Sequence, residues 1–279
     1  MDYQEENTKW FSVFKKAVDA NSQIAFSRKL TVSVIDASTN VPLSEMIDMK
    51  LLVEYEGEWT NNAGLTCFVD NRTYFYDSLV SNDVVNFSVY FPLSKEKFVF
   101  TGTRVIVSNK TRTKAAIRNK LYVENLNKIM TSLLKQESNC KNETQNIETV
   151  NNYCDSISNK IVANDKIIKD YWDSLNNEEK LSFEAISPET IKLDAFKEKV
   201  KDDLVKFEAQ EEILPNDNFS VLFLIPFEVD YTIYPMPQVI ANSRKPNFES
   251  LYKPQKKTRR FYFFFNFLCL KWLVKELNP

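Results

Sequence analysis

The sequence contains no histidine, and this absence excludes several kinds of active site. Ser-His-Asp and Cys-His enzymes use a histidine as general base, and many catalytic metals are bound by histidine nitrogen. Glycine is also scarce, since only Gly57, Gly64 and Gly102 are present. Neither a Walker phosphate loop nor a glycine-rich dinucleotide-binding turn can be assembled from these three. Any redox chemistry would therefore come from a cofactor that side chains and strand backbone hold.

Cysteines are few, and neither sign of charge dominates. Cys67, Cys140, Cys154 and Cys269 lie far apart, without the paired spacing of a zinc site or a disulfide framework, so we expect reduced thiols. The 36 Lys and Arg against 38 Asp and Glu give a net charge of -2, which does not favour nucleic acid as a partner. The acidic N-terminus lacks the apolar segment of a signal peptide. These features predict a cytosolic or nuclear protein.

The apolar pattern predicts a helix followed by a β-rich region. Apolar residues recur at helical spacing from Trp10 to Val18. Residues 29–108 then contain short runs rich in Val, Phe and Tyr, separated by turn signals, which predict about five strands. The segments "NFSVLFLIP" and "VDYTIYP" predict two further strands. The order of helix, sheet, helices and sheet predicts a mainly β (α+β) antiparallel barrel or sandwich flanked by helices.

Polar segments interrupt this pattern. Residues 109–170 are rich in Asn, Lys, Glu and Ser, with one helical period at 117–133, and we interpret them as a helix and loop insertion in a single domain spanning residues 1–279. Residues 189–212 predict a further amphipathic helix. The basic run at 253–260 is interpreted as a solvated loop, the alternatives being a contact with nucleic acid phosphate or a nuclear import receptor.

The C-terminal apolar run at residues 261–274 raises the question of a membrane segment. It is shorter than the roughly 20 residues that a membrane-spanning helix needs. We therefore predict no membrane contact and a place in the core, with one strand at about 261–268 and a second segment after a bend near residue 269 or 271. Phe263 and Phe265 should be buried. The aromatic side chains of Tyr90 and Trp272 are likewise interpreted as core.

Seven segments, taken in order, carry a common resemblance: "KWFSVFKKAV", "RKLTVSVIDASTNVPLSEMIDMK", "FVDNRTYFYDSL", "FSVYFPLSKEKFVFTG", "YWDSLNNEEKLSF", "PNDNFSVLFLIPFEVDY" and "WLVKELNP". They resemble the FMN-binding split-barrel family of pyridoxamine phosphate oxidase-like proteins, of which the chain would be a divergent, fungal-type member. The resemblance implies an antiparallel split β-barrel of the FMN-binding type with flanking helices. It also implies a homodimer with FMN at the interface and a last strand that closes the barrel.

The resemblance further implies a cofactor site formed by Lys50, Asp70, Arg72, Thr73 and Lys97. In the family pattern, Lys50, Arg72 and Thr73 would hold the FMN phosphate, and Lys97 would lie near the flavin ring. Arginine suits such a site because its planar fork matches phosphate oxygens and stays charged. No catalytic general base and no metal site are implied.

Three residues depart from the family pattern and leave the function open. Glu45 stands where the family has a phosphate-binding Arg, Asp48 replaces an apolar residue, and Phe75 replaces a Lys. A carboxylate about 4 Å from a phosphate charge costs on the order of 4 kcal/mol at an effective dielectric near 20. One function is therefore a flavin-dependent oxidoreductase with a degenerate cofactor site, and the other is a non-enzymatic split-barrel dimer that has lost FMN and acts as a binding or scaffold module. Haem is a weaker third ligand, because a Cys or Tyr would have to serve as its axial ligand.

Overall fold

In a computed structural model, the chain is described at residues 9–36, 38–55, 62–114, 166–184, 214–235, 258–266 and 271–277, and at isolated positions between 124 and 161. The elements in chain order are α1 (Lys9–Ala20), a 3-10 helix (Ala25–Arg28), β1 (Lys29–Ile35), β2 (Pro42–Tyr55), β3 (Asn62–Asp70), α2 (Tyr74–Ser81), β4 (Val85–Phe91), β5 (Glu96–Ser108), α3 (Ile167–Asp173), α4 (Asn177–Glu184), β6 (Phe219–Ile233), β7 (Arg259–Asn266) and β8 (Lys271–Leu277).

Strands β1 to β6 close into an antiparallel barrel. Around the ring the order is β1-β2-β3-β6-β5-β4, with β4 returning to β1. The pairing of β3 with β6, from Leu65 opposite Leu224 to Asp70 opposite Phe219, closes the ring. The expected mainly β architecture, an antiparallel barrel with flanking helices, is confirmed.

The barrel interior follows from the alternation of side chains along each strand. In β1, Leu30, Val32 and Val34 are buried while the residues between them are partly exposed. Val32 lies opposite Phe87 of β4, whose ring stacks on Phe100 of β5 at a centroid distance of 4.8 Å. The same alternation that predicts strands from the sequence therefore also fills the core.

Helix α1 packs against the aromatic part of this core, as its apolar spacing predicts. Trp10 and Phe14 are both fully buried. The ring of Phe14 lies 5.0 Å from that of Phe98 and 5.4 Å from that of Phe100, in edge-to-face contacts. The helix is thus fixed to β5 by aromatic packing.

Strand β6 corrects the prediction of two separate strands in this region. It is one strand of 15 residues and pairs with β5 from Ser220 to Ile233, with one shift of register. Thr101 lies opposite Glu228 and Gly102 opposite Pro226, so Phe227 is an extra residue at a bulge. Pro226 suggests a strand end in the sequence because it lacks an N–H donor, but a bulge accommodates such a residue within a sheet.

The C-terminal strands do not close the barrel, contrary to the expectation from the resemblance. Strand β7 pairs with the second half of β6, and β8 pairs with β7, so the two extend the sheet beyond the ring that β3 and β6 complete. Phe263 is 4 % exposed and Phe264 is fully buried, which confirms the predicted burial of Phe263. The side chain of Phe265 lies outside the described residues.

Two residues of the predicted basic loop belong to β7 instead. Arg259 and Arg260 are exposed strand residues, paired with Glu276 of β8 and Asp230 of β6 respectively. The solvated-loop prediction for this end of the run was therefore wrong. The rest of the run, at 253–257, lies outside the described residues.

Other predictions fall mainly outside the described residues and stay predictions. They are the insertion at about 109–170, of which α3 overlaps the end, and the helix at 189–212. The single-domain division also stays a prediction. Among the described helices, none is long and apolar enough to cross a membrane.

Candidate functional site

A cleft of about 290 Å³ lies between β2, β3, the start of α2 and helix α4. It is on the outer side of the barrel, because Met46, Asp48 and Lys50 line it while Met49, which alternates with them along β2, is buried. Five apolar residues form much of its wall: Met46, Phe68, Phe75, Leu175 and Phe183. A cleft of this size, with an apolar lining, can hold part of a small, flat organic ligand.

Lys50 enters the cleft from an irregularity in β2. Met49 pairs with Cys67 and Leu51 pairs with Thr66, so Lys50 is an extra residue in the ladder between them. Bulges of this kind re-aim a side chain and are frequent next to active sites. The Lys50 ammonium group lies 5.6 Å from the centroid of Phe68 and forms an ion pair with Glu179 of α4.

The turn from β3 to α2 holds three of the expected site residues. Thr73 is the N-cap of α2, and its Oγ1 accepts a hydrogen bond from the N–H of Tyr76 at 3.2 Å. The same hydroxyl donates to the backbone oxygen of Asp70 at 2.9 Å. Both the backbone N–H and the Nε of Arg72 donate to Asp70 Oδ1 at 2.9 Å. These bonds fix the turn next to the cleft.

Arg72 also links this turn to helix α4. Its Nη2 donates to Asp70 Oδ2 at 2.5 Å and to the backbone oxygen of Ser182 at 3.2 Å. The Arg72 side chain is 21 % exposed, so it is partly buried beside the turn. One side of its fork is therefore committed to Asp70 and the end of α4.

Helix α4 begins with a capping box that holds Glu179. The N–H of Glu179 donates to Asn176 Oδ1 at 2.8 Å, and Glu179 Oε2 accepts from the N–H of Asn176 at 3.1 Å. The other carboxylate oxygen, Oε1, accepts from Lys50. The start of α4 thus positions the Glu179 carboxylate so that it contacts Lys50 of β2.

Aromatic contacts set the position of α3 and α4 against the barrel. The ring of Phe219 in β6 lies 5.2 Å from that of Trp172 and 5.1 Å from those of Phe183 and Phe68. Trp172 is fully buried. The helix that carries Glu179 is therefore anchored to the same strands that form the floor of the cleft.

The charges around the cleft are mostly negative. Lys50 is accompanied by four carboxylate residues in the lining: Glu45, Asp48, Asp70 and Glu179. Asp48 contacts Lys29 at 2.7 Å, and the Asp70 and Glu179 carboxylates contact the two cations already described. The positive charges at this site are therefore neutralised by neighbouring carboxylates.

Two titratable groups close to the cleft, one buried and one partly buried, have raised pKa values. Burial raises the pKa of the Cys67 thiol, which points into the barrel, and the nearby Asp48 carboxylate adds to the increase. Burial also raises the pKa of the Tyr171 hydroxyl. Both groups are therefore protonated at neutral pH.

The structure brings four of the five expected site residues together. Lys50, Asp70 and Thr73 line the cleft, and Arg72 lies in the same turn. Lys97 is an exposed residue of β5, opposite Tyr90 of β4, and does not line this cleft.

Two features of the region were not expected from the sequence. Tyr90 is 45 % exposed, which corrects its interpretation as a core residue; its ring contacts that of Tyr234. The role of Glu179 was also missed, although the Asn-x-x-Glu spacing from Asn176 is a sequence signal for a helix start.

No family model and no curated protein matches this chain. Among solved structures, it is similar to a pyridoxamine 5'-phosphate oxidase-related, FMN-binding protein from Nostoc punctiforme, with 15 % identity, 97 % of both chains covered and a TM-score of 0.56. It is also similar to PhzG from Burkholderia lata, solved in complex with tetrahydrophenazine-1-carboxylic acid, with 10 % identity, 99 % of this chain and 94 % of that chain covered, and a TM-score of 0.55. The likeness shows the fold, and the expected FMN-binding type of split barrel is confirmed.

Proposed function

We propose that this protein is a divergent flavin-binding protein that takes FMN in the cleft between β2, β3 and α4, with a weakened phosphate site. The observation that carries the proposal is that Lys50 and Thr73 line one cleft with an aromatic wall, and that Arg72 lies in the same turn as Thr73. Lys50 lies at the bulge in β2, and Arg72 and Thr73 lie in the turn that follows β3. The fold shared with an FMN-binding protein supports the same assignment.

The turn between β3 and α2 fits a phosphate group. Arg72 supplies a guanidinium group and Thr73 a hydroxyl, and the positive end of the α2 dipole lies beside them. Lys50 adds an ammonium group across the cleft. The rings of Phe68 and Phe75 fit a planar ring system.

The β2 side of the cleft fits a phosphate less well. Glu45 and Asp48 place carboxylates along the strand from which Lys50 projects. Because like charges repel and the cations already have carboxylate partners, we expect an FMN affinity lower than that of a site lined by Arg and Lys alone. The residues thus fit the group as a weak site.

When bound, FMN would supply the hydride acceptor, and the chain would supply orientation and electrostatics. Arg72, Thr73 and Lys50 would bind the phosphate. Asp70 would orient the Arg72 fork, as it does in this structure. Helix α4 would cover one side of the ligand and exclude water. The activity we propose on this basis is that of a cytosolic flavin-dependent oxidoreductase.

We also propose that two copies associate and complete the site. Lys97 is exposed on the outer side of β5, on a surface that also exposes Tyr90 and Tyr234. A second subunit packed there would bring Lys97 of one subunit toward the cleft of the other. Light scattering tests this arrangement, and a monomer at micromolar concentration would contradict it.

A second candidate function is a non-enzymatic split-barrel dimer that has lost FMN and serves as a binding or scaffold module. The observation that favours it is the excess of carboxylates over cations in the cleft. The two candidates differ in one measurable property, which is the binding of flavin.

Absorbance between about 350 and 500 nm, followed as FMN is added to the purified protein, distinguishes the two candidates. A ligand present at 100 times its dissociation constant adds about 2.7 kcal/mol to the free energy of unfolding. We expect a shifted flavin spectrum and a higher melting temperature at millimolar FMN. Arg72→Glu should abolish both changes. Lys15→Glu, an equal charge reversal at an exposed position of α1, should preserve them. Absence of both changes in the unaltered protein would contradict the first candidate.

A further inference from the structure

Glu179 is bonded through both oxygens of its carboxylate. Oε2 accepts from the N–H of Asn176 and Oε1 accepts from the ammonium group of Lys50. The side chains of Lys50 and Glu179 are 28 % and 35 % exposed, so the pair is shielded from water on most sides. The Glu179 carboxylate, which the start of its own helix holds in position, therefore contacts Lys50, the cation that an anionic ligand would bind.

We propose that Glu179 is an internal counter-ion that determines the charge of the ligand this cleft accepts. The inference rests on the proposed flavin site and concerns its specificity. In this arrangement Glu179 competes with a ligand phosphate for Lys50, so the phosphate contributes little to affinity. The cleft then distinguishes poorly between a phosphorylated flavin and the same flavin without phosphate.

The geometry explains why the competition favours the internal carboxylate. The Glu179 side chain is already ordered by the capping box, so its contact with Lys50 requires little further loss of side-chain entropy. A phosphate would have to displace it or bind beside it. Binding beside it places two anions in contact, in a cleft that already contains the carboxylates of Asp48 and Asp70.

The capping box also supplies a conservative variant. Glutamine can replace glutamate at this helix position, because its side-chain oxygen still accepts from the backbone N–H of the N-cap residue. Glu179→Gln therefore removes the charge and keeps the helix start. Glu178→Gln is the matched control, because it removes the same charge from the neighbouring, exposed residue of α4.

The experiment measures dissociation constants for FMN and riboflavin, which differ by the phosphate group, through quenching of flavin fluorescence. We expect E179Q to bind FMN about tenfold more tightly than the unaltered protein, because one repulsive charge contact with the phosphate is removed. The dissociation constant for riboflavin should not change. E178Q should alter neither constant. Adding Lys50→Gln to E179Q should remove the gain, because Lys50 is the group that the substitution releases.

The outcomes separate this inference from the proposed function. If FMN binds but E179Q leaves the ratio of the two constants unchanged, or if E178Q gives the same gain, the counter-ion role is wrong while flavin binding stands. Because glutamine keeps both bonds of the capping box, E179Q should fold, and its melting temperature checks this before the titrations.

Should no flavin bind to any variant, the proposed function fails and inorganic pyrophosphate becomes the probe. Amine-directed labelling, read at Lys50 by mass spectrometry, then tests the counter-ion directly. Protection of Lys50 by pyrophosphate in E179Q, and not in the unaltered protein or E178Q, supports the inference. Equal labelling with and without pyrophosphate in E179Q overturns it.

Discussion

Gly102 of β5 lies directly against the backbone carbonyl of Ile225 in β6. A Cβ atom at position 102 would be 2.1 Å from the Ile225 oxygen and 2.8 Å from the Cα of Pro226. Both neighbours are backbone atoms, so no rotation of a side chain could make room. The contact adjoins the bulge where β6 stops pairing with β3 and goes on to pair with β7.

Substitution of Gly102 by alanine should therefore destabilise the barrel. We expect Gly102→Ala to lower the free energy of unfolding by on the order of 3 kcal/mol, because the strands must separate to admit the methyl group. Urea denaturation measures the change. Thr101→Ala, next to it in β5, loses side-chain hydrogen bonds to Asn86 and Glu228 but meets no backbone clash, and should cost about 1 kcal/mol. Equal stability of the two variants would contradict the close contact.

The Asp36 carboxylate should make stability depend on pH in the acid range. It accepts hydrogen bonds from the hydroxyls of Thr39 and Tyr74 and from the N–H of Ser38 at 2.9 Å, and these bonds lower its pKa from the ordinary value of 3.8. Because the folded pKa is the lower one, the contribution is complete above about pH 4 and is lost as the pH falls from there through the folded pKa.

Comparison with Asp36→Asn isolates this contribution. We expect the variant to be less stable than the unaltered protein at pH 7, and the difference to shrink as the pH is lowered below 4. Denaturant titrations at several pH values measure it. Asp19→Asn, in an exposed position at the end of α1, serves as control and should show no such convergence. A difference that stays constant down to pH 2 would exclude the carboxylate as its source.

Arg104 should stabilise the end of α2 from inside the barrel. Its side chain is 4 % exposed, and its Nε and Nη2 donate to the backbone oxygens of Leu79 and Val80 at 2.8 and 2.6 Å. Arg104→Met would leave these carbonyls without their donors, which should cost about 3 kcal/mol of unfolding free energy. Lys110→Met, at an exposed position just after the same strand, should change stability by less than about 0.5 kcal/mol. A loss below about 1 kcal/mol for the Arg104 variant would show that other groups satisfy α2.

Cys67 should resist thiol reagents in the folded protein. Its side chain is fully buried in β3, and burial raises its pKa, so the reactive thiolate is scarce at neutral pH. We expect iodoacetamide to label Cys67 only after denaturation, as peptide mass spectrometry would show. Cys154, which is 1 % exposed, should behave in the same way. Rapid labelling of Cys67 under native conditions would indicate that β3 separates from its neighbours.

Local sequence specified only part of the arrangement around the cleft. Asp70, Arg72 and Thr73 belong to one turn, which the resemblance to the split-barrel family implied as part of a phosphate site. Lys50 and Glu179 are 129 residues apart, and no local pattern indicates that they meet. The bulge at Lys50 is also absent from the sequence pattern, because it depends on the register with β3.

The sequence by itself determined the class of fold and the location of α1 and strands β1, β3, β4 and β5. Alternation of apolar side chains and turn residues are local properties, and they fix which segments form strands. Only the tertiary structure decided that β3 and β6 close the barrel, that β6 is one strand and that β7 and β8 lie beyond the ring. Those outcomes depend on which distant strands exchange hydrogen bonds. Every residue except proline has the same backbone donor and acceptor, so the local sequence does not show which strand will be the partner.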